Sequence, residues 1–292
     1  MRLYPDMTLR WTNDGTRYLA RILYDPMPDD PRKLSEPLGT MACWHGRYCL
    51  GDDLDCKSPG DWWRRLVSAS VSDEEIADAA INGRLHGIRV VPSEDTPLLY
   101  DIYETCYLAG WQSTREAEEY LEYAGIPESA IADYLFDDLT IIHCQELLKP
   151  YAFWLDLWLY DHSGITMSAT TGGNPYSCPW DSGQVGWILV TKDKMFVDCN
   201  ADDATWREMA EQYLQDEVSV YDGYLTGEVY GYSLYELPDG VSDEDEIDLS
   251  ELDEVDACWG FYGDNPEQNG MLDCFPGITD AMHELRVQIG EI

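Results

Sequence analysis

From Phe153 to Asp161 the chain reads FWLDLWLYD. Phe153, Leu155, Leu157 and Leu159 fall on one side of a two-residue period. Trp154, Asp156, Trp158 and Tyr160 fall on the other. The alternation predicts a strand with an aliphatic face and an aromatic face. Residues 16–25 (TRYLARILYD), 185–191 (VGWILVT), 228–237 (EVYGYSLYEL) and 257–263 (ACWGFYG) predict further strands. A tight turn between two of these strands is expected to bring Trp154, Trp158, Trp180 and Trp187 together beside the sheet.

Elsewhere the apolar period lengthens. Trp206, Met209, Ala210, Tyr213, Leu214, Val218 and Tyr221 form a stripe at helical spacing, opened by a capping box at Thr205, and predict a long helix over 205–225. Ser72–Glu75 and Ser113–Glu116 are also capping boxes. After the second, Ala117, Tyr120, Leu121 and Ala124 recur at helical spacing before Gly125, so 116–122 is expected as an acidic helix. IPESAIADYLF (126–136) predicts a short helix with Pro in its first turn, and GITDAMHELRVQIG (277–290) a C-terminal one.

Strands and helices are segregated, not alternating as βαβ units. The expected class is α+β, a mostly antiparallel sheet with helices beside it. The organisation read from the chain is N-terminal strands over 1–59, an acidic helical insert over 60–148, and an α+β core over 149–292 that carries the long helix and an acidic loop at 239–256.

Charge changes the picture. The 292 residues hold 57 Asp and Glu against 18 Lys and Arg, a formal −39. Such a surface repels nucleic acid and anionic membrane and attracts basic proteins. The imbalance is regional. Thirteen of the basic residues lie at or before Arg115, and none lies between Glu208 and Asp280. Residues 242–256, SDEDEIDLSELDEVD, hold nine carboxylates, and 116–146 hold nine without a Lys or Arg. Two acidic strips follow as candidate partner-binding residues: Glu116, Glu118, Glu119 and Glu122, and Asp243, Glu244, Asp245, Glu246, Asp248, Glu251, Asp253 and Glu254. Salt adaptation is the competing explanation of the acidity, since proteins of brines are acidic throughout.

The nine cysteines are odd in number, widely spaced and free of C-x-x-C pairs. The N-terminus has no apolar stretch of a secretory leader, and no apolar run reaches the length of a membrane span. The expectation is a cytoplasmic protein with reduced thiols and no cofactor. Cys43, His45, Cys49 and Cys56 match no standard zinc spacing, so no metal site is assigned and the cysteines are expected as buried small apolar residues.

The stretch CPWDSGQVGWI (178–188) concentrates chemistry. As an enzyme site it offers Cys178 as nucleophile and His162 as base, with Asp161 or Asp181 behind it. Against this, Pro179 follows the thiol and no neighbouring cation or helix start activates it. As structure it is a turn. Asp181 and Ser182 close onto backbone N–H groups, Gly183 relaxes the backbone, and Trp180 and Trp187 are expected to bury. The structural reading is preferred.

LGTMACWHGRYCLGD, LYDHSGITMS, CPWDSGQVGWILV, YLTGEVYGY and CWGFYG occur in that order between residues 38 and 263. The ordered set resembles a family of proteins carried by bacteriophages, plasmids and integrated mobile elements. In the first landmark this chain has Cys49 where the family has Asn. The resemblance brings no catalytic residues. It implies a cytoplasmic accessory protein of a mobile element in a bacterial or archaeal host. With the charge, the expected role is an anti-defence protein that imitates DNA, a strategy like that of antirestriction proteins without a shared motif. Its partner would be a basic nucleic-acid-binding protein of the host. It would bind neither nucleic acid nor membrane, and self-association is left open. A Cys178/His162 hydrolase or transferase and a salt-adapted protein are the alternatives.

Overall fold

A computed structural model describes residues 1–34, 36–94, 96, 98–107, 117–238, 248–278 and 285–289 of the protein. In chain order the elements are β1 (Met7–Asn13), β2 (Thr16–Tyr24), α1 (Pro31–Leu34), β3 (Thr40–Cys43), α2 (Pro59–Ser70), α3 (Asp73–Ile81) and β4 (Ile88–Pro92). There follow β5 (Leu99–Tyr107), β6 (Ala117–Pro127), α4 (Ile131–Leu135), α5 (Ile141–Leu148), β7 (Ala152–Asp161), β8 (Ile165–Thr170) and β9 (Ser182–Thr191). The chain closes with α6 (Lys192–Asp198), α7 (Trp206–Thr226), β10 (Val229–Glu236), β11 (Glu254–Tyr262) and β12 (Arg286–Ile289). The fold is α+β, with three sheets ordered β11-β10-β2-β1-β12, β3-β9-β7-β8 and β4-β5-β6. The chain divides into two compact units, 1–41 with 155–188 and 211–292, and 42–154 with 189–210.

In the first unit the five-stranded sheet is antiparallel throughout. Met7, Leu9 and Trp11 alternate inward from β1, and Ala20 and Ile22 come from β2. They join Tyr230, Tyr232 and Leu234 of β10 and a cap of Met271, Leu272, Phe275 and Ile278. Trp11 stacks on Tyr18 at 5.3 Å, and Tyr232 meets Phe275 edge-on at 4.7 Å. The first six positions of β10 are all buried, so both its faces are covered.

In the second unit, helix starts follow their caps. Ser58 accepts from the Asp61 N–H ahead of Pro59 at the first turn of α2. Ser72 and Glu75 complete the capping box of α3. Glu75 also accepts from the Tyr151 hydroxyl, and that bond with those from Ser72 holds its carboxyl below the usual range. Buried Trp63 is the centre of an aromatic cluster, 5.1 Å from Trp62 and 5.2 Å from Trp154, and Trp44 adjoins Trp62 at 6.0 Å.

The alternation over 153–161 holds: Leu155, Leu157 and Leu159 are buried on β7. The long helix holds too, with Trp206, Ala210, Leu214, Val218 and Tyr221 buried. At its approach Asp202 accepts from the Ala204 and Thr205 N–H groups, and the Thr205 hydroxyl accepts from the Asp202 N–H. Three expectations fail. Residues 117–127 are strand, not acidic helix. Two bulges break the β5–β6 register there, which scrambles the two-residue period into one that imitates a helix. Gly125 sits at φ +68°, its N–H held by Asp101 at 2.9 Å, so it shapes a bulge and ends no helix. The expected C-terminal helix gives way over 286–289 to β12, which takes the free edge of β1 with Leu9 opposite Val287. The capping box at Ser113 and residues 279–284 lie outside the described residues.

Candidate functional site

Strand β6 is an edge strand whose acids are not equivalent. Glu119 is tied to Arg89 by two bonds of 2.7 and 2.6 Å, and Arg89 also lies over the Tyr103 ring at 4.2 Å. That carboxylate is neutralised, and the Arg89 bond lowers its pKa. Glu122 differs. Ile102 pairs with Tyr123 and Tyr103 with Leu121, so Glu122 is the extra residue of a bulge. A bulge re-aims its side chain. Glu122 and Asp138, from the turn after α4, both act on Glu104 of β5. Burial, then Glu122, then Asp138 push the Glu104 carboxyl above the usual range, and His143 opposes them. Tyr123 is raised by burial and by the same acids. Three carboxylates from separate elements therefore share one negative patch.

Of the other candidates, Glu116 and Asp243, Glu244, Asp245 and Glu246 lie outside the described residues, and of Glu118 only the backbone position on β6 is described. Asp248 caps a single 3-10 turn, accepting from Ser250 at 3.0 Å, while Glu251, Asp253 and Glu254 are exposed. Glu104 and Asp138 were not foreseen. Nothing local marks them, because the patch is made by pairing across β5 and β6.

The 178–188 stretch does bring its candidates together. The Cys178 thiol donates to Asp181 Oδ2 at 3.3 Å, and His162 Nδ1 lies 3.5 Å from the same oxygen. The order is thiol, carboxylate, imidazole. A nucleophile needs its base in contact, and His162 makes no hydrogen bond to Cys178. The turn is closed by backbone and hydroxyl: Asp161 N–H donates to the Asp181 carbonyl at 2.7 Å, Ser182 Oγ to the Cys178 carbonyl at 2.6 Å, and Asn174 to Ser182 at 2.7 Å. Replacing Ser182 or Asp181 by Ala is expected to cost about 1 kcal/mol each in urea unfolding. Cys178→Ser, whose hydroxyl still donates to Asp181, is expected to leave the transition in place.

Trp180 does not bury. It is 92% exposed at the tip of this turn, away from any tryptophan cluster. Gly183 has open space where a Cβ would stand, so neither close approach nor unusual backbone explains it. Trp187 is half-buried and donates its indole N–H to Asp156. The thiols are also less buried than expected: Cys49, Cys258 and Cys274 are exposed, and Cys144 is buried, which pushes it up to about 11. His45 Nδ1 accepts from the Arg47 and Tyr48 N–H groups, shaping its own loop. Among the described residues no group of three or more His, Cys, Asp or Glu is placed to hold a metal, and no helix is long and apolar enough to cross a membrane.

Burial raises Asp156 and Asp222 as it raises Glu104. In the window above the ordinary carboxylate range, the folded chain binds more protons than the unfolded one. Stability therefore falls as pH rises through it. Glu75 and Glu119, held low, work oppositely, and their contribution is lost only as pH falls below the ordinary range. The urea midpoint is expected to be higher at about pH 5 than at about pH 7.

No family model matches the chain, and neither the curated proteins nor the solved structures give a significant match.

Proposed function

We propose that the protein is an acidic accessory protein of a mobile element. It acts as a decoy for a basic nucleic-acid-binding protein of host defence, such as a restriction or CRISPR nuclease. The observation that carries this reading is the patch of Glu104, Glu122 and Asp138, where burial first, and then the two neighbouring acids, push the Glu104 carboxyl up. Like-charge crowding on a folded surface costs stability, and a binding function explains why it is kept. Proteins that bind duplex DNA read a line of one negative charge per about 1.7 Å with Lys and Arg. A surface of carboxylates offers the same potential. The formal charge of −39 adds long-range attraction for a basic partner and repels DNA itself.

The test is competition. A labelled duplex is bound to each of a panel of restriction and CRISPR nucleases, and the protein is added. Displacement is expected at low salt, weakening steeply between about 50 and 300 mM as exposed charges are screened. Glu104→Gln, Glu122→Gln and Asp138→Asn together should weaken competition about 10-fold or more, at up to about 1 kcal/mol per exposed pair. Glu119→Gln, already paired with Arg89, should change it less than about 2-fold. A protein that displaces no duplex at low salt, or binds the duplex itself, is no decoy.

A further inference from the structure

The first unit contains a cavity of about 620 Å³ between the 212–223 stretch of α7 and the 262–269 segment after β11. Pockets of about 300 to 1,000 Å³ hold small-molecule ligands. Its frame is set by a close approach: a Cβ on Gly223 would stand 3.1 Å from the Gly263 nitrogen. The loop spends its own polar groups on itself. Gly263 N–H donates to the Glu228 carbonyl at 2.8 Å, and the Asn269 amide binds the Gly263 carbonyl and the Met271 N–H. Tyr262 donates its hydroxyl to the Asp29 carbonyl.

Carboxylate oxygens remain. Asp222 accepts from the Thr166 hydroxyl at 2.8 Å and the Met167 N–H at 2.6 Å, both at Oδ1, and Oδ2 takes no bond among the described residues. Asp216 accepts from Gln212 at Oδ1. Glu228 and Asp264 share one cation, Arg2, and among the described residues no Lys or Arg lines the cavity. The wall carries the carboxylates of Asp216, Asp222, Glu228 and Asp264 beside neutral groups of Ser219, Asn265 and Gln268, so a ligand that fits it brings positive charge.

We infer that this cavity binds a guanidinium group. A guanidinium presents five N–H donors in a planar fork that engages two carboxylates at once, whereas an ammonium is a compact point charge. The carboxylates line the cavity from α7, from Glu228 and from the segment after β11, and Tyr262 adds an aromatic wall suited to a flat cation. Burial raises the Asp222 carboxyl, a cost that an adjacent cation offsets. The guanidinium could be carried by a free small molecule or by an arginine side chain of a polypeptide.

The experiment is calorimetric titration of the full chain at about 150 mM salt with agmatine, N-acetyl-arginine amide, the isosteric alkylurea and 1,4-diaminobutane. Agmatine or the arginine amide is expected to bind one to one, at least about tenfold tighter than the urea or the diamine. Tighter agmatine assigns a free ligand, and an equal or tighter arginine amide assigns a polypeptide. Asp222→Asn, whose Oδ1 still serves Thr166 and Met167, and exposed Asp216→Asn should each weaken binding about tenfold. Glu122→Gln in the other unit should not. Absence of stoichiometric binding overturns the inference, as does equal binding of the urea or diamine, or indifference to both cavity substitutions. The decoy activity rests on a different unit and different variants, so either can fail while the other stands.

Discussion

Replacing Glu217 by Ala lowers the unfolding free energy by about 3 to 5 kcal/mol, the range for stranding a buried charge. The Arg32 side chain is 3% exposed and bonds Glu217 at 2.7 Å and the Gly39 carbonyl at 2.6 Å. Glu217 also accepts from the Leu38 N–H at 2.6 Å and from the Gly39 N–H. Without its carboxylate a buried guanidinium loses this countercharge and two backbone donors lose this acceptor. Backbone comes this close because Gly39 has no side chain: a Cβ there would overlap Leu214 and stand 2.9 Å from Ile188. Urea unfolding measures the loss. Arg32→Met combined with Glu217→Gln should lose less than Glu217→Ala, because the amide oxygen still serves Leu38 and Gly39 and no charge is stranded. A loss below about 1 kcal/mol for Glu217→Ala would mean that water reaches the guanidinium.

Trp63→Ala is expected to cost about 3 to 5 kcal/mol, as removal of a large core side chain does. Trp63 is 0% exposed and touches rings on two sides, so little can relax into the space it leaves. Trp180→Ala should fall within about 0.5 kcal/mol of the parent, as surface substitutions do. Urea midpoints of the two variants separate these roles. Equal losses would place Trp180 in a packed environment.

That contrast shows what could be read from residues alone. Both tryptophans stand in aromatic, turn-rich sequence, and burial is decided by partners distant in the chain. Trp63 meets Trp154 across ninety-one positions, for which local pattern carries no signal. The strand over 152–161 was legible because its aliphatic face packs against one core and no irregularity interrupts the period. Strand 117–127 was not legible, because two bulges reset its alternation. The same irregularity hid the candidate site, since the bulge at Glu122 is what places that acid beside Glu104. The turn at 178–182 was read correctly as a turn, but its closing bonds come from the Asp181 carbonyl and the Ser182 hydroxyl, and its tryptophan points to water.

The edge strands carry a consequence for behaviour in solution. Among the described residues β6 and β11 each end a sheet. Such edges invite copies of a chain to join side by side, and charges along them are a common guard. Here the guard is carboxylate: Glu122 on β6, Glu254 and Asp256 on β11. Mild acid, which relieves the raised carboxyls of the folded chain, also brings it toward its isoelectric point of about 4.1 and discharges these edges. The conditions that make a single molecule hardest to unfold therefore lie next to those in which its molecules adhere. The acidity that weakens the fold near neutrality is also what keeps each copy apart.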